Sequence, residues 1–214
     1  MSKRELLKFL NTKRNGAHIN PDSILKEYDA FWEMNGIYRS SDIVSFRKKI
    51  KGHTELCEDI IKLYNKSKLE NEQITLLEDL LAIGYDKDKL VELILNMFYA
   101  KNPPTNLWEY ADLLYSIKNF RYMSQYLTII KDESYGEDRQ MLILLVGKSK
   151  KAYVVPILKE LLSDLTVYGH ALDALSNFSG DEINHIMHKY IDCNIAWIRE
   201  IAEKYLSKNN SKSN

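Results

Sequence analysis

The segment LILLVGKSKK, residues 142–151, contains residue types found in phosphate-binding loops. Such a loop has a glycine five positions before a second glycine that is followed by Lys and Ser or Thr, so that backbone amides surround a phosphate. Gly147, Lys148 and Ser149 match the end of this pattern, but position 142 is Leu. We therefore expect no nucleotide here, and we interpret Gly147 as the end of a helix followed by solvated lysines.

Trp108 and Asp112 stand four positions apart, and Trp197 lies in a later segment of similar pattern. An aromatic ring beside a carboxylate could stack a base flipped out of a duplex and stabilise a developing positive charge. The surrounding segments 106–117 and 137–145 carry more acids than bases, which disfavours a track for phosphates. Tryptophan in a helix also serves packing, and both interpretations stay open.

His185 and His188 are three positions apart in the segment HIMH. On a helix they would share one side with Asp181 and Asp192, and such a set could hold a divalent metal. A closed site needs three or four convergent ligands, whereas an acid at position 181 also suits a helix start and Asp192 suits a turn. We expect no metal and no cofactor. The chain also shows no Ser-His-Asp, Cys-His or glycine-rich catalytic order, so we expect a protein that is not an enzyme.

The charge of the 214-residue chain is zero overall but unevenly distributed. Residues 1–51 hold 11 Lys or Arg against 6 Asp or Glu, residues 52–147 hold 10 against 16, and residues 148–214 hold 9 against 8. Only seven of the 30 basic residues are Arg, the better reader of phosphates and bases. An acidic middle with few arginines disfavours a nucleic-acid partner, duplex DNA above all.

The two cysteines, Cys57 and Cys193, are far apart and match no metal or redox spacing. The N-terminus, MSKRELLKFLNTKRNG, is charged within a few residues of any apolar run, unlike a secretory signal. No window has the 18 or so consecutive apolar residues that a spanning helix needs. These features predict a cytoplasmic protein with reduced thiols and no membrane association.

Apolar residues recur with a period near 3.6 almost everywhere, which predicts an all-α fold. Asn20, Ser41, Asn71 and Thr105 are expected N-caps, and Gly180 is an expected stop. The predicted helices lie near residues 3–11, 21–34, 42–50, 54–67, 72–84, 88–100, 106–117, 120–131, 138–148, 153–162, 166–177, 182–191 and 195–207.

Pairs of small or aliphatic residues recur at intervals of about thirty positions. Leu80-Leu81 is followed after 33 positions by Leu113-Leu114, after 31 more by Leu144-Leu145 and after 30 more by Ala174-Leu175. A polar turn and a second amphipathic segment follow each pair. Two-helix repeats of this length predict an α-solenoid, because each pair has two apolar faces and buries both only by stacking on its neighbours.

The segment YVVPILKELLSDLTVYGHALDALSNF, residues 153–178, is similar to HEAT repeats, the two-helix units of armadillo-type solenoids. Residues 190–206 repeat the turn and second helix, with Asp192 and Arg199 where the family pairs these types along the stack and Tyr168 replacing the Arg of the previous unit. The period alone holds over 72–150, and residues 1–68 align with no repeat. The first unit carries the similarity at Pro156, Leu158, Leu161, Leu162, Asp164, Val167, Ala171, Ala174 and Leu175.

The resemblance implies that a macromolecule binds along a concave wall of second helices, here 106–117, 138–148, 166–177 and 195–207. A small branch with similar architecture excises alkylated bases from DNA, so the fold alone does not select a function. A lysine-rich solenoid of this size also resembles bacterial immunity proteins that neutralise cationic toxins.

We therefore expect a helical N-terminal cap over residues 1–68, a HEAT-like solenoid over 69–207 and a disordered tail over 208–214. The predicted function is non-enzymatic binding of a basic protein, as an adaptor or immunity protein; the alternative is a DNA-binding protein or alkylpurine DNA glycosylase. The residues expected to contact the partner are Trp108, Asp112, Asp138, Arg139, Tyr168, Asp173, Trp197 and Glu200.

Overall fold

The computed structural model describes residues 23–39 and 42–210, with side chains described to Lys208. These residues form α-helices and short 3-10 segments without a β-strand, which confirms the all-α prediction. The helix predicted near 3–11 and the caps at Asn20 and Ser41 lie outside the described residues. The twelve α-helices in the described part of the chain are α1 (Leu25–Met34), α2 (Ile43–Ile50), α3 (Cys57–Lys66), α4 (Glu70–Ile83), α5 (Lys87–Phe98), α6 (Leu107–Ile117), α7 (Met123–Lys131), α8 (Gln140–Lys148), α9 (Val155–Glu160), α10 (Tyr168–Leu175), α11 (Asp181–His188) and α12 (Ala196–Asn210).

Contacts between Cα atoms divide the chain into two compact units, Met1–Leu93 and Ile94–Asn214. The division falls inside α5. Helix α4 packs against α2 and α3 in the first unit.

The first unit is built around buried acids on α4. Glu72 accepts hydrogen bonds from the Ser23 hydroxyl at 2.6 Å and from the Ile24 amide at 3.3 Å, and so holds the start of α1. Asp79, which is fully buried, accepts from the Tyr28 hydroxyl and from Arg47 Nε at 2.9 Å. Burial raises the pKa of the Asp79 carboxyl, and the Arg47 guanidinium is its ion-pair partner.

An aromatic cluster completes the core of the first unit. The Trp32 ring is fully buried and meets the Phe31 and Phe46 rings edge-on, with centroids 4.9 Å and 5.3 Å away. Such edge-to-face pairs add to the free energy gained from burying the rings. Trp32 is therefore a native reporter for the packing of this unit.

In the second unit the helices alternate between two kinds of contact. Helices α6, α8, α10 and α12 form a series in which each packs against the next. Helices α7, α9 and α11 each pair with the helix that follows them. We call α6, α8, α10 and α12 the second helices, and α7, α9 and α11 the first helices.

Glycine 147 has a different role from the predicted one. It is buried inside α8, and a Cβ at this position would lie 2.7 Å from the Cα of Ala174 on α10. Gly147 therefore lets two second helices approach closely, and it does not end α8. The left-handed residue that follows α8 is Lys150, with φ 54°, and Lys118 has the same φ at the end of α6.

Several other boundaries differ from the predicted ones. The segment predicted as one helix over 153–162 is a 3-10 turn, the short helix α9 and a second 3-10 turn, with Pro156 in the first turn of α9. Asn71 lies within the first turn of α4 rather than capping it. Gly180 adopts φ 129° directly before α11, as a boundary residue should. Helix α12 extends to Asn210, into the predicted tail.

No helix within residues 23–39 and 42–210 has both the length and the apolar character needed to cross a bilayer.

Candidate functional site

One face of the second helices carries exposed or half-buried side chains at spacings of three or four residues. Most of the intervening positions on α6, α8 and α10 are buried, for example Ala111 on α6 and Leu172 on α10. Positions with this spacing lie on one side of a helix. We call this the second-helix face, and it comprises Trp108, Asp112, Tyr115, Met141, Leu144, Lys148, His170, Asp173, Asn177, Trp197, Glu200 and Lys204.

Contacts between side chains show that neighbouring parts of this face adjoin. Lys148 Nζ donates to Asn177 Oδ1 at 3.4 Å, joining the ends of α8 and α10. The His170 and Trp197 rings, on α10 and α12, have centroids 5.4 Å apart at an interplanar angle of 53°. The face is therefore continuous from α8 to α12.

Trp108 and Asp138 are brought together at the start of α6. The Trp108 amide donates to Asp138 Oδ1 at 3.1 Å, so this carboxylate satisfies one of the free N–H groups at the helix start. Burial raises the pKa of Asp138, the Trp108 hydrogen bond opposes that rise, and the neighbouring Glu137 adds to it. Asp138 thus holds the helix that presents the Trp108 ring, which is 37% exposed.

Asp112 is exposed one turn after Trp108, so the predicted aromatic–carboxylate pair shares one side of α6. Glu109, Glu137 and Asp138 lie on or beside the same helix start, which adds negative charge around the pair. This arrangement attracts cations and repels a phosphate backbone.

Arg139 is not on the surface, although its position in the sequence placed it among the expected contact residues. Its side chain is 1% exposed and donates to the carbonyl oxygens of Ile130 and Gly136 at 2.9 Å each. It also donates to the Asp164 carboxylate and, at 3.3 Å, to Thr166 Oγ1. Burial is possible because the four acceptors satisfy the guanidinium donors, and Arg139 is therefore a structural residue.

Asp164 receives Arg139 in the turn before α10. Although partial burial acts to raise the pKa of Asp164, bonds from Thr166 and Arg139 hold it below its usual value. The resemblance placed Asp192 and Arg199 at the positions whose residue types pair along the stack. Arg199 donates to the Cys193 carbonyl at 2.8 Å and approaches Glu203 at 4.0 Å.

Tyr168 is half-buried at the start of α10 and is engaged within the chain. Its ring stacks on that of Tyr190, with centroids 6.5 Å apart and an interplanar angle of 28°. Burial raises the pKa of Tyr190, and Tyr168 adds to the rise. Tyr168 therefore supports the turn after α11 at the edge of the second-helix face.

Trp197 lies across Gly169 with 44% of its surface exposed. A Cβ on Gly169 would lie 2.3 Å from the Trp197 ring, so only glycine leaves room for the ring in this position. His170 contacts the same ring, and Asp173 follows one turn later on α10. Burial lowers the pKa of His170, while the carboxylates of Asp173 and Glu137 act to raise it.

Sequence reasoning missed Gly169, His170 and Glu137, although it found Asp173 and Trp197. The available signal was Gly169 inside an otherwise regular helical pattern, since such a glycine often marks a close approach. Glu200, one turn after Trp197, is exposed as expected.

The histidine pair of the sequence analysis is exposed on α11, at His185 and His188. Among residues 23–39 and 42–210, no three His, Cys, Asp or Glu side chains are grouped so that they could hold a metal ion. Cys57 and Cys193 are both free thiols, and burial raises the pKa of Cys57.

Comparisons with models of protein families, with curated proteins and with solved structures found no match to this chain.

Proposed function

We propose that the chain is a non-enzymatic binding protein that holds a basic protein partner on its second-helix face. The observation that carries this proposal is the pair of exposed tryptophans, Trp108 and Trp197, each followed one turn later by an exposed acid, Asp112 or Glu200. Tryptophan is enriched among residues that dominate protein interfaces, because it buries a large area with little loss of side-chain entropy.

The proposed architecture behind this face is a short solenoid of HEAT-like pairs. The order of contacts supports it: each first helix pairs with the next second helix, and the second helices pack in series from α6 to α12. The close approach of Gly147 to Ala174 and the bond from Arg139 to Asp164 tie successive pairs together. In such a stack each pair is completed by its neighbours.

Charge favours a basic partner over an acidic one. On the second-helix face Asp112, Asp173 and Glu200 stand against Lys148 and Lys204. Beside the face lie Glu109, Glu137 and Asp138 and one cation, Lys118, whose Nζ is 5.9 Å from the centroid of the Tyr115 ring. Complementary charge speeds the encounter of two proteins and excludes wrong partners. A cationic toxin neutralised by an immunity protein is one partner of this kind, and a basic subunit held by an adaptor is another.

Affinity capture from the host tests the proposal with matched charge reversals. The site variant is Asp112→Lys with Glu200→Lys, and the control is Glu33→Lys with Glu160→Lys, which makes the same change in net charge at exposed positions outside the face. Both control lysines would stand near helix C-termini, where a cation is favourable. We expect wild type and control to retain one basic protein and the site variant to lose it. Equal retention by all three would contradict the proposal.

Base excision from DNA is the second candidate, and the shared side of Trp108 and Asp112 on α6 is the observation that favours it. Fluorescence anisotropy against duplex DNA containing an abasic site, at low salt, separates the two functions. The protein-binding proposal predicts no saturable binding, because the acids around Trp108 repel phosphates. Tight binding that weakens steeply with salt would favour the DNA function.

A further inference from the structure

The cluster around Trp197 combines four features that suit one kind of ligand. The Trp197 indole ring lies against Gly169 and contacts the His170 ring, while 44% of the Trp197 surface stays exposed. Asp173 lies one turn from His170 on the same helix, and both Asp173 and Glu137 act electrostatically on the His170 ring. An open aromatic face bordered by carboxylates is a receptor for a cation.

We propose that this cluster, the Trp197 clamp, receives a single arginine side chain of the basic partner, stacked on the indole ring and bonded to the Asp173 carboxylate. This inference rests on the function proposed above and identifies the chemical group that the partner presents. Trp197, Asp173, His170 and Glu137 define the clamp throughout.

Arginine fits the clamp better than lysine does. The planar guanidinium stacks on an aromatic ring and still directs N–H donors sideways to a carboxylate, whereas an ammonium is a compact, strongly hydrated charge. Tryptophan is the best of the aromatic residues for such contacts. Asp173 and Glu137, the two carboxylates that act on His170, belong to two different elements, α10 and the 3-10 segment Glu133–Arg139, which suits a ligand with several donors.

Trp108, the other exposed tryptophan of the second-helix face, differs from Trp197 in its immediate contacts. Trp108 lies at the start of α6 beside Asp138, whose carboxylate already accepts a hydrogen bond from the Trp108 amide. In contrast, the Trp197 ring contacts a glycine and a half-buried imidazole, and burial lowers the pKa of that imidazole, which disfavours a competing positive charge. The two tryptophans therefore provide a comparison within one protein.

A titration followed by NMR tests the clamp on the full chain. The probes are N-acetyl-arginine amide and N-acetyl-lysine amide, and the signals are the indole N–H resonances of Trp32, Trp108 and Trp197, assigned with single Trp→Phe variants. We expect the arginine probe to shift the Trp197 resonance saturably, with a smaller effect on Trp108 and none on buried Trp32. The lysine probe should bind several-fold more weakly.

Two variants separate the clamp from general attraction by acids. Asp173→Asn should weaken the arginine probe about fivefold, as expected for loss of one partly exposed charged partner. Glu160→Gln removes the same charge outside the face and should leave affinity unchanged. The inference fails if Trp108 and Trp197 respond alike, if lysine binds as well as arginine, or if both variants behave as wild type.

The results also separate this inference from the proposed function. If the clamp fails while affinity capture still depends on Asp112 and Glu200, the basic partner is held without an arginine on Trp197, and only the clamp is rejected. If arginine binds at Trp197 while capture is unaffected by the site variant, the proposed function is rejected and the clamp remains a binding site of the isolated chain.

Discussion

The guanidinium of Arg139 lies against the carboxylate of Asp164, which follows it by 25 positions. Arg139 belongs to the 3-10 segment before α8, and Asp164 belongs to the turn before α10. The bond therefore joins the starts of two successive second helices. Arg139 is 1% exposed, so its other donors must also be satisfied internally, as they are by Ile130 and Gly136.

Arg139→Ala should lower the free energy of unfolding by about 3–5 kcal/mol, because it leaves a partly buried carboxylate and two carbonyl oxygens without their donor. Urea unfolding of the variant provides the measurement. Arg199→Ala is the control: its side chain is 39% exposed and its loss should lower the free energy by about 1 kcal/mol or less. Equal losses would show that the buried network has no special role.

Gly147→Ala should destabilise the protein by about 1–3 kcal/mol, although alanine is the better helix former. The reason is that the new methyl group would lie 2.7 Å from the Cα of Ala174, a backbone atom that cannot move without moving α10. Thermal unfolding compares this variant with Ala174→Gly and with the double variant, in which partial recovery is expected. A raised Tm for Gly147→Ala would mean that α8 and α10 do not meet here.

Asp79→Ala should lower the stability of the first unit by about 3 kcal/mol, since it removes the buried acceptor of the Tyr28 hydroxyl and the Arg47 guanidinium. Trp32 fluorescence reports this unit when Trp108 and Trp197 are replaced by Phe. Asp59→Ala provides the comparison, because Asp59 pairs with Lys62 at the surface and its loss should change stability by about 0.5 kcal/mol or less. A similar effect of both substitutions would rule out the buried network as a source of stability.

His170 should make stability depend on pH. Because burial lowers its pKa from 6.5, the unfolded chain takes up a proton at a higher pH than the folded chain does, although Asp173 and Glu137 oppose the shift. The contribution of His170 to the free energy of unfolding is therefore present in full above pH 6.5 and is lost as the pH falls below that value. His170→Gln should show a smaller loss between pH 7.5 and pH 5.5 in urea unfolding. An identical pH dependence would show that His170 titrates as it does in the unfolded chain.

Protonation of His170 should also weaken the binding of arginine at the Trp197 clamp. A protonated His170 places a positive charge beside the indole ring and repels the incoming guanidinium. Affinity for the arginine probe should therefore fall with decreasing pH in wild type and fall less in His170→Gln. A steeper decline in the variant would contradict the assigned role of His170.

The helices were predictable because their apolar period follows from burying one side of each helix, as on α10, where Ala171, Leu172, Ala174 and Leu175 are buried. Boundaries were less predictable where a 3-10 turn continues a helix. In the segment around Pro156 the apolar pattern runs on while the hydrogen bonding changes, so the sequence shows one helix where the structure has three short elements.

Contacts between elements were the harder part. The family resemblance placed the Asp and Arg types of the stack at Asp192 and Arg199. The buried pair joins Asp164 to Arg139 instead, which lies before α8 in a 3-10 segment that Gly136, with φ 48°, bends. The place of Trp197 on Gly169 depends on the rotation of two helices about their own axes, which no local pattern specifies. Exposed Trp108, Asp112 and Glu200 were found because surface position follows directly from helical period.

Photo-crosslinking in the host is the most direct test of the central proposal, that a basic protein occupies the second-helix face. A p-benzoyl-phenylalanine side chain replaces Trp108, Trp197 or, as a control, Tyr153, which is 56% exposed in the 3-10 turn directly before the first helix α9. The proposal predicts that positions 108 and 197 capture the same basic protein and that position 153 does not. Capture from position 153 alone, or capture of nucleic acid from positions 108 and 197, would contradict it.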